Sequence, residues 1–140
     1  MKTLWLVIVG IYLVFTSCQK GPKEIMYGQE NCTYCSMTIM DDKHAAQIVT
    51  NTGKVYVFDS IECMLRSLEV HADKAEQILV MDFNNPGTFL SASEASYLIA
   101  PQLPSPMGAN LTAFSSDEEA SDIGYEGTLY NWDSIREQIH

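Results

Sequence analysis

The sequence predicts an α+β fold, two ββα-type modules in one domain, and three observations carry that prediction. Apolar and polar residues alternate over Ala45–Val49 and Lys54–Phe58 around the turn Thr50-Asn51-Thr52-Gly53, a β-hairpin pattern. A helix signal follows at once from Asp59. The string Phe58-Asp59-Ser60-Ile61 then returns 74 residues later as Trp132-Asp133-Ser134-Ile135, again after a strand, a turn or short helix, and a strand. A methionine stands before each copy, Met37 and Met107, 70 residues apart. With 140 residues, 46% of them hydrophobic and 19% charged, the chain is long and apolar enough for one buried core.

The opening segment differs from the rest. Lys2 precedes an apolar run, Leu4 to Phe15, broken only by Gly10, and then come Thr16, Ser17 and Cys18. The run is shorter than the roughly 20 apolar residues that span a bilayer, and matches a secretion signal. Phe15-Thr16-Ser17-Cys18 resembles the lipobox of bacterial lipoproteins, with Phe15 where leucine is usual, which implies cleavage before Cys18 and its acylation. The expected organisation is therefore a signal peptide over 1–17, a lipidated cysteine and polar tether over 18–29, and a folded domain over 30–140. Its modules divide at about 30–75 and 76–140. The expected location is the cell envelope, anchored to a bacterial membrane and facing the periplasm or exterior.

Along the domain, Asp59-Ser60-Ile61-Glu62 has the D-x-x-E form of a capping box, with Ile61, Leu65 and Leu68 on one helical face. Gln77–Phe83 is a predicted strand ended by the turn signal Asn84-Asn85-Pro86-Gly87, and Ser91–Ala100 a predicted short helix. The proline-rich stretch Pro101–Pro106 excludes a helix. Gly108–Phe114 is a further predicted strand, Ser116 opens a short helix that Gly124 closes, and Thr128–Trp132 is the last strand before a terminal helix capped by Asp133.

Charge narrows the function. Eight basic side chains face 18 acidic ones, a formal charge of −10, and the bases form no cluster. Nucleic-acid binding needs a basic surface that displaces counterions from phosphate, so that class is excluded. No Ser-His-Asp order, glycine-rich phosphate loop or H-E-x-x-H occurs. His44 and His71 sit where solvent is expected.

Sulfur dominates what remains. Cys32-Thr33-Tyr34-Cys35-Ser36-Met37 places two thiols within reach of one ion, with a thioether two residues beyond. Such soft donors suit Cu(I). Cys63 falls in the first turn of its predicted helix, where the aligned amides favour a thiolate. Met107 follows the stiff Pro104-Ser105-Pro106 bend. The candidate metal donors are thus Cys32, Cys35, Met37, Cys63 and Met107. A plain Cys32–Cys35 disulfide and a small buried Cys63 are the structural alternatives.

These motifs, Cys32–Met37, Ala45-Ala46-Gln47-Ile48, Phe58–Met64, Ser105-Pro106-Met107-Gly108 and Ala113-Phe114, resemble in order those of the NosL family, lipid-anchored accessory proteins of nitrous-oxide reductase. The family pattern C-x-x-C-G-M has glycine where this chain has Ser36. The resemblance implies a fold shared with organomercurial lyase, a non-enzymatic Cu(I) chaperone, and a partner that gives or receives copper in maturation of the reductase. Two rivals accompany it. One is a lyase-like thiol enzyme using Cys35 and Cys63 with Asp59 as proton donor, and the other a disulfide-stapled binding module without metal.

Overall fold

The computed structural model describes residues 20–139. The signal segment and Cys18 lie outside them. Two antiparallel sheets organise the chain. The first, in the order β2-β1-β3-β4, contains β1 (Ala46–Thr50), β2 (Val55–Phe58), β3 (Ala75–Met81) and β4 (Phe89–Ser91). The second, in the order β6-β5-β7, contains β5 (Ser96–Ile99), β6 (Leu111–Phe114) and β7 (Thr128–Tyr130). Helix α1 (Ile61–His71) continues into a 3₁₀ turn over Ala72–Lys74, α2 is Asp117–Asp122, and α3 is Trp132–Gln138. Among the described residues no helix is long and apolar enough to cross a membrane.

The hairpin forms as its alternation required, with Ala46 opposite Phe58 and Val49 opposite Val55. Alternation leads one to expect a wet outer face on β1, yet all five of its residues are buried. The segment after Lys20 covers that face. Gln47 Nε2 donates to the Lys23 carbonyl at 2.6 Å and its Oε1 accepts from the Lys23 amide at 3.1 Å, so a side-chain amide completes the backbone pairing. Ile25, from the stretch expected to be tether, joins the main core.

Ser91–Ala100 is not a helix. It supplies the end of β4 and all of β5, joined by a turn in which the Glu94 and Ala95 amides donate to the Ser91 carbonyl. Tertiary pairing overrides local helix preference here. Leu79 lies opposite Ser91 in the first sheet, and Ser96 opposite Phe114 in the second. The same turn therefore hands the chain from one sheet to the other.

The repeated strings stand in different settings. Phe58 ends β2 and Ser60 caps α1, whereas Trp132 already begins α3. The order strand, strand, helix does recur. However, β1 and β2 pair directly, while β5 is inserted between β6 and β7. Asn131, not Asp133, caps α3, in a reciprocal capping box with Ser134. Asp133 instead pairs with Arg136. Ser116 caps α2 as its sequence indicated.

The main core serves both sheets, and a smaller cluster of Leu98, Leu103, Phe114 and Ala120 packs beside the second. Ile39, Ile48, Phe58, Ile61 and Met64 from the first half share the main core with Tyr97, Leu111 and Ile135 from the second. Each of these large side chains, fully removed from water, contributes about 1.5–3 kcal/mol of transfer free energy. His44, expected in solvent, is 3% exposed. Its Nδ1 lies 2.9 Å from Asp41 Oδ1 and its Nε2 3.3 Å from Thr112 Oγ1 on β6, a polar tie between the start of β1 and the second sheet. His71 is half-buried and stacks on Tyr56 at 4.0 Å between ring centres.

Candidate metal centre

Two structural devices converge at the end of β2. The first is the loop carrying Cys32 and Cys35. An isolated bridge between Asn31 and Thr38 makes its neck, and the Cys32 amide donates to the Met37 carbonyl at 2.8 Å. At its crown the Ser36 amide donates to the Cys32 carbonyl, and the Thr33 amide to the Val57 carbonyl on β2. The loop is thus sewn to the first sheet. Closing it requires a left-handed residue, and Ser36 adopts φ 63. That is the position where the family pattern has glycine, which adopts this conformation without steric cost.

The second device is the start of α1. Ser60 is the N-cap and its Oγ accepts from the Cys63 amide at 3.2 Å. The expected capping box of Asp59 and Glu62 does not form. The extended backbone of Ser60 makes it the last residue before the helix, and this moves the cap one residue along. Asp59 is thereby free of the helix, and its Oδ1 accepts from Cys35 Sγ at 3.6 Å.

The outcome is a cluster in which the donor atoms of Cys32, Cys35, Asp59 and Cys63 all lie within 4.8 Å of one another. All three cysteines among the described residues are free thiols, so the alternative of a Cys32–Cys35 disulfide is not the state of this structure. Cys32 and Cys63 are buried and Cys35 is partly open, giving the cluster one accessible sulfur.

Its electrostatics differ from the expectation that the helix start would make Cys63 the thiolate. The Cys63 thiol donates to Cys32 and this bond, with the amides of Cys35, Asp59 and Tyr34, draws the Cys32 thiol down to about 6 against the cost of burial. Cys63 moves the opposite way, raised by its bond to Cys32, by burial and by Asp59. Cys35 is raised too, first by burial and then by the neighbouring Cys32 sulfur and Asp59 carboxylate. The fold therefore favours the thiolate form at Cys32, while the Cys35 and Cys63 thiols hold their protons more strongly than free cysteine does.

The NosL family model matches residues 23–140. The chain belongs to the NosL family. A crystal structure described as the copper chaperone NosL from Shewanella denitrificans superimposes with a TM-score of 0.71 at 23% identity, covering 84% of this chain and 96% of that one. No curated protein sequence matches significantly.

In this NosL-family protein the structure unites Cys32, Cys35 and Cys63 from the predicted donor set. Met37 lies opposite Cys32 across the loop neck, but the residue is 53% exposed. Met107 is half-buried against the main core. It occupies the third position of a turn in which the Gly108 amide donates to the Ser105 carbonyl at 2.9 Å. The sequence assigns Asp59 to the helix cap and, in the enzyme alternative, to proton donation, and its place among the sulfurs follows from the shifted cap. Its signal in the sequence was the neighbouring Ser60, an equally good capping residue. Glu62 is also unanticipated in role. It is fully buried, and its Oε1 accepts from Ser105 Oγ and from the Ala109 amide at 3.2 Å.

Proposed function

We propose that the protein is an extracytoplasmic Cu(I) carrier, held to a bacterial membrane by lipid on Cys18, that passes copper along the maturation route of nitrous-oxide reductase. The observation that carries this is the buried cluster of three cysteine sulfurs with one opening at Cys35. Three soft donors match the coordination and softness of Cu(I). A carrier must also release its cargo, and Cys35, the accessible sulfur, is where a partner's thiolate or thioether enters and begins displacement. Family membership and the copper chaperone of similar fold support the reading. Met107 is assigned as a further thioether donor from the second half, with Met37 at the loop neck as its counterpart in the first. The acidic character of the chain suits a basic donor or acceptor protein.

The test is a titration of the reduced protein with Cu(I) against a competing chelator, with Zn²⁺ in parallel. Zn²⁺ prefers four-coordinate sites and accepts carboxylate, so Asp59 makes it the relevant competitor. Cu(I) is expected to win, and Cys35→Ser to weaken it by at least tenfold. Stronger Zn²⁺ binding, or unchanged Cu(I) affinity in Cys35→Ser, would reject the carrier.

A second reading draws on one specific contact, the Asp59 carboxylate beside Cys35. This is the grouping required by a thiol enzyme that protonates a carbon bound to mercury. Benzene released from phenylmercury by the reduced protein would mark that activity, and the carrier reading expects none.

A further inference from the structure

We infer that Glu62 is the positioning residue that presents Met107 as a copper donor, by latching the 105–109 loop to the first turn of α1. The inference rests on the assignment of Met107 as a donor. Glu62 stands next to Cys63, yet it is not one of the four clustered donors. Its carboxylate turns toward the second half of the chain. There Oε1 accepts two hydrogen bonds, from Ser105 Oγ and the Ala109 amide, and these anchors lie two residues on either side of Met107. Between them, Pro106 restricts the backbone and Gly108 takes φ +80, so the loop has few other ways to close. Met107 is consequently tied to the helical turn that carries Cys63.

The latch is costly as a purely structural device. Glu62 is 0% exposed, and its Oε2 has no hydrogen-bond partner among the described residues. A buried polar group only half satisfied lowers stability, and such costs concentrate where function needs a fixed geometry.

The experiment is a double-mutant cycle on the full, reduced chain, reading Cu(I) affinity by chelator competition and the number of sulfur neighbours of copper by X-ray absorption. Glu62→Leu and Met107→Leu are each expected to weaken Cu(I) by about tenfold or more and to remove one sulfur, with no further loss in the double variant. Glu62→Gln is expected to retain both affinity and sulfur count. Additive losses in the double variant would overturn the inference, because Glu62 would then act independently of Met107. Unchanged affinity in Glu62→Leu beside a weakened Met107→Leu would overturn the latch alone and leave Met107 a donor. Unchanged affinity in Met107→Leu would overturn both. Should Glu62→Leu fail to fold, Ser105→Ala replaces it in the same cycle. A smaller loss that vanishes in the Met107→Leu background supports the latch, and one that persists there rejects it.

Discussion

Replacing Ser60 by alanine isolates the helix cap from the metal cluster beside it. The substitution deletes the oxygen that accepts from the Cys63 amide at 3.2 Å and leaves all four clustered donors in place. Loss of an N-cap costs about 1 kcal/mol in typical settings. Ser60 is 0% exposed, so water cannot take over the freed amide, and a buried unsatisfied donor costs about 1–3 kcal/mol. Both figures describe the same broken bond, which places the loss near 2 kcal/mol. For a domain of this size that corresponds to a fall in Tm of about 8 °C. Asp59→Asn is the control, because Asn keeps the shape and an oxygen facing Cys35 while the Ser60 cap is untouched. Its cost should be less than half as large. The assay is urea and thermal unfolding of the reduced, metal-free protein followed by circular dichroism. An unaltered Ser60→Ala, or an Asp59→Asn equally destabilised, would refute the assignment of the cap to Ser60.

The Cys32 loop and the second sheet offer three more tests. Ser36→Gly should stabilise the metal-free protein by about 0.5–1 kcal/mol in urea, since relief of a left-handed conformation outweighs glycine's extra unfolded-state entropy. Gly127→Ala should cost about 1–3 kcal/mol by overpacking, because a Cβ there would lie 2.5 Å from the Ile99 carbonyl oxygen and 2.8 Å from Leu98 Cδ1. The third test concerns pH. Cys32 is held below its unfolded value, so between about 6 and 9 the unfolded chain binds the extra proton and stability of the reduced, metal-free protein rises with pH. Below that window the contribution is lost. His71, lowered by burial and by Lys74 and Lys54, adds the same sign just below its ordinary value. Above pH 9 the raised Cys63 reverses the slope. Urea midpoints measured from pH 5 to 10 check this, and Cys32→Ser should flatten the rise.

Local signals proved legible where chemistry and backbone agree over a few residues. The hairpin, the face of Ile61 and Leu65, the Ser116 cap and the turn at Asn84–Gly87 all rest on neighbours in the chain. The Cys32–Cys35 spacing likewise announced a sulfur site, and Cys63 was legible as a third member because a helix start had to follow β2. Ser91–Ala100 was misread for the complementary reason. Its residues tolerate a helix, and only the strands waiting on either side, β3 and β6, make it β4 and β5. The repeated aromatic-Asp-Ser-Ile string misled in a related way, since identical residues serve as a cap in one place and as the first turn of a helix in the other.

By itself, then, the sequence determined the α+β class, the hairpin leading into a helix, the sulfur chemistry of the loop and the family to which the chain belongs. Tertiary structure decided the rest. It chose Ser60 over Asp59 as the cap, which released a carboxylate into the sulfur cluster. It made Cys32 the most acidic of the three clustered thiols, because the Cys63 thiol and three backbone amides from two separate segments converge on one sulfur. It turned Glu62 away from its own helix toward Ser105, 43 residues distant. It buried His44 between Asp41 and Thr112. The common physical reason is that burial and hydrogen-bond satisfaction depend on which distant segments meet. Spacing along a chain sets what each residue is able to do, and the groups brought against it in the fold determine which of those things it does.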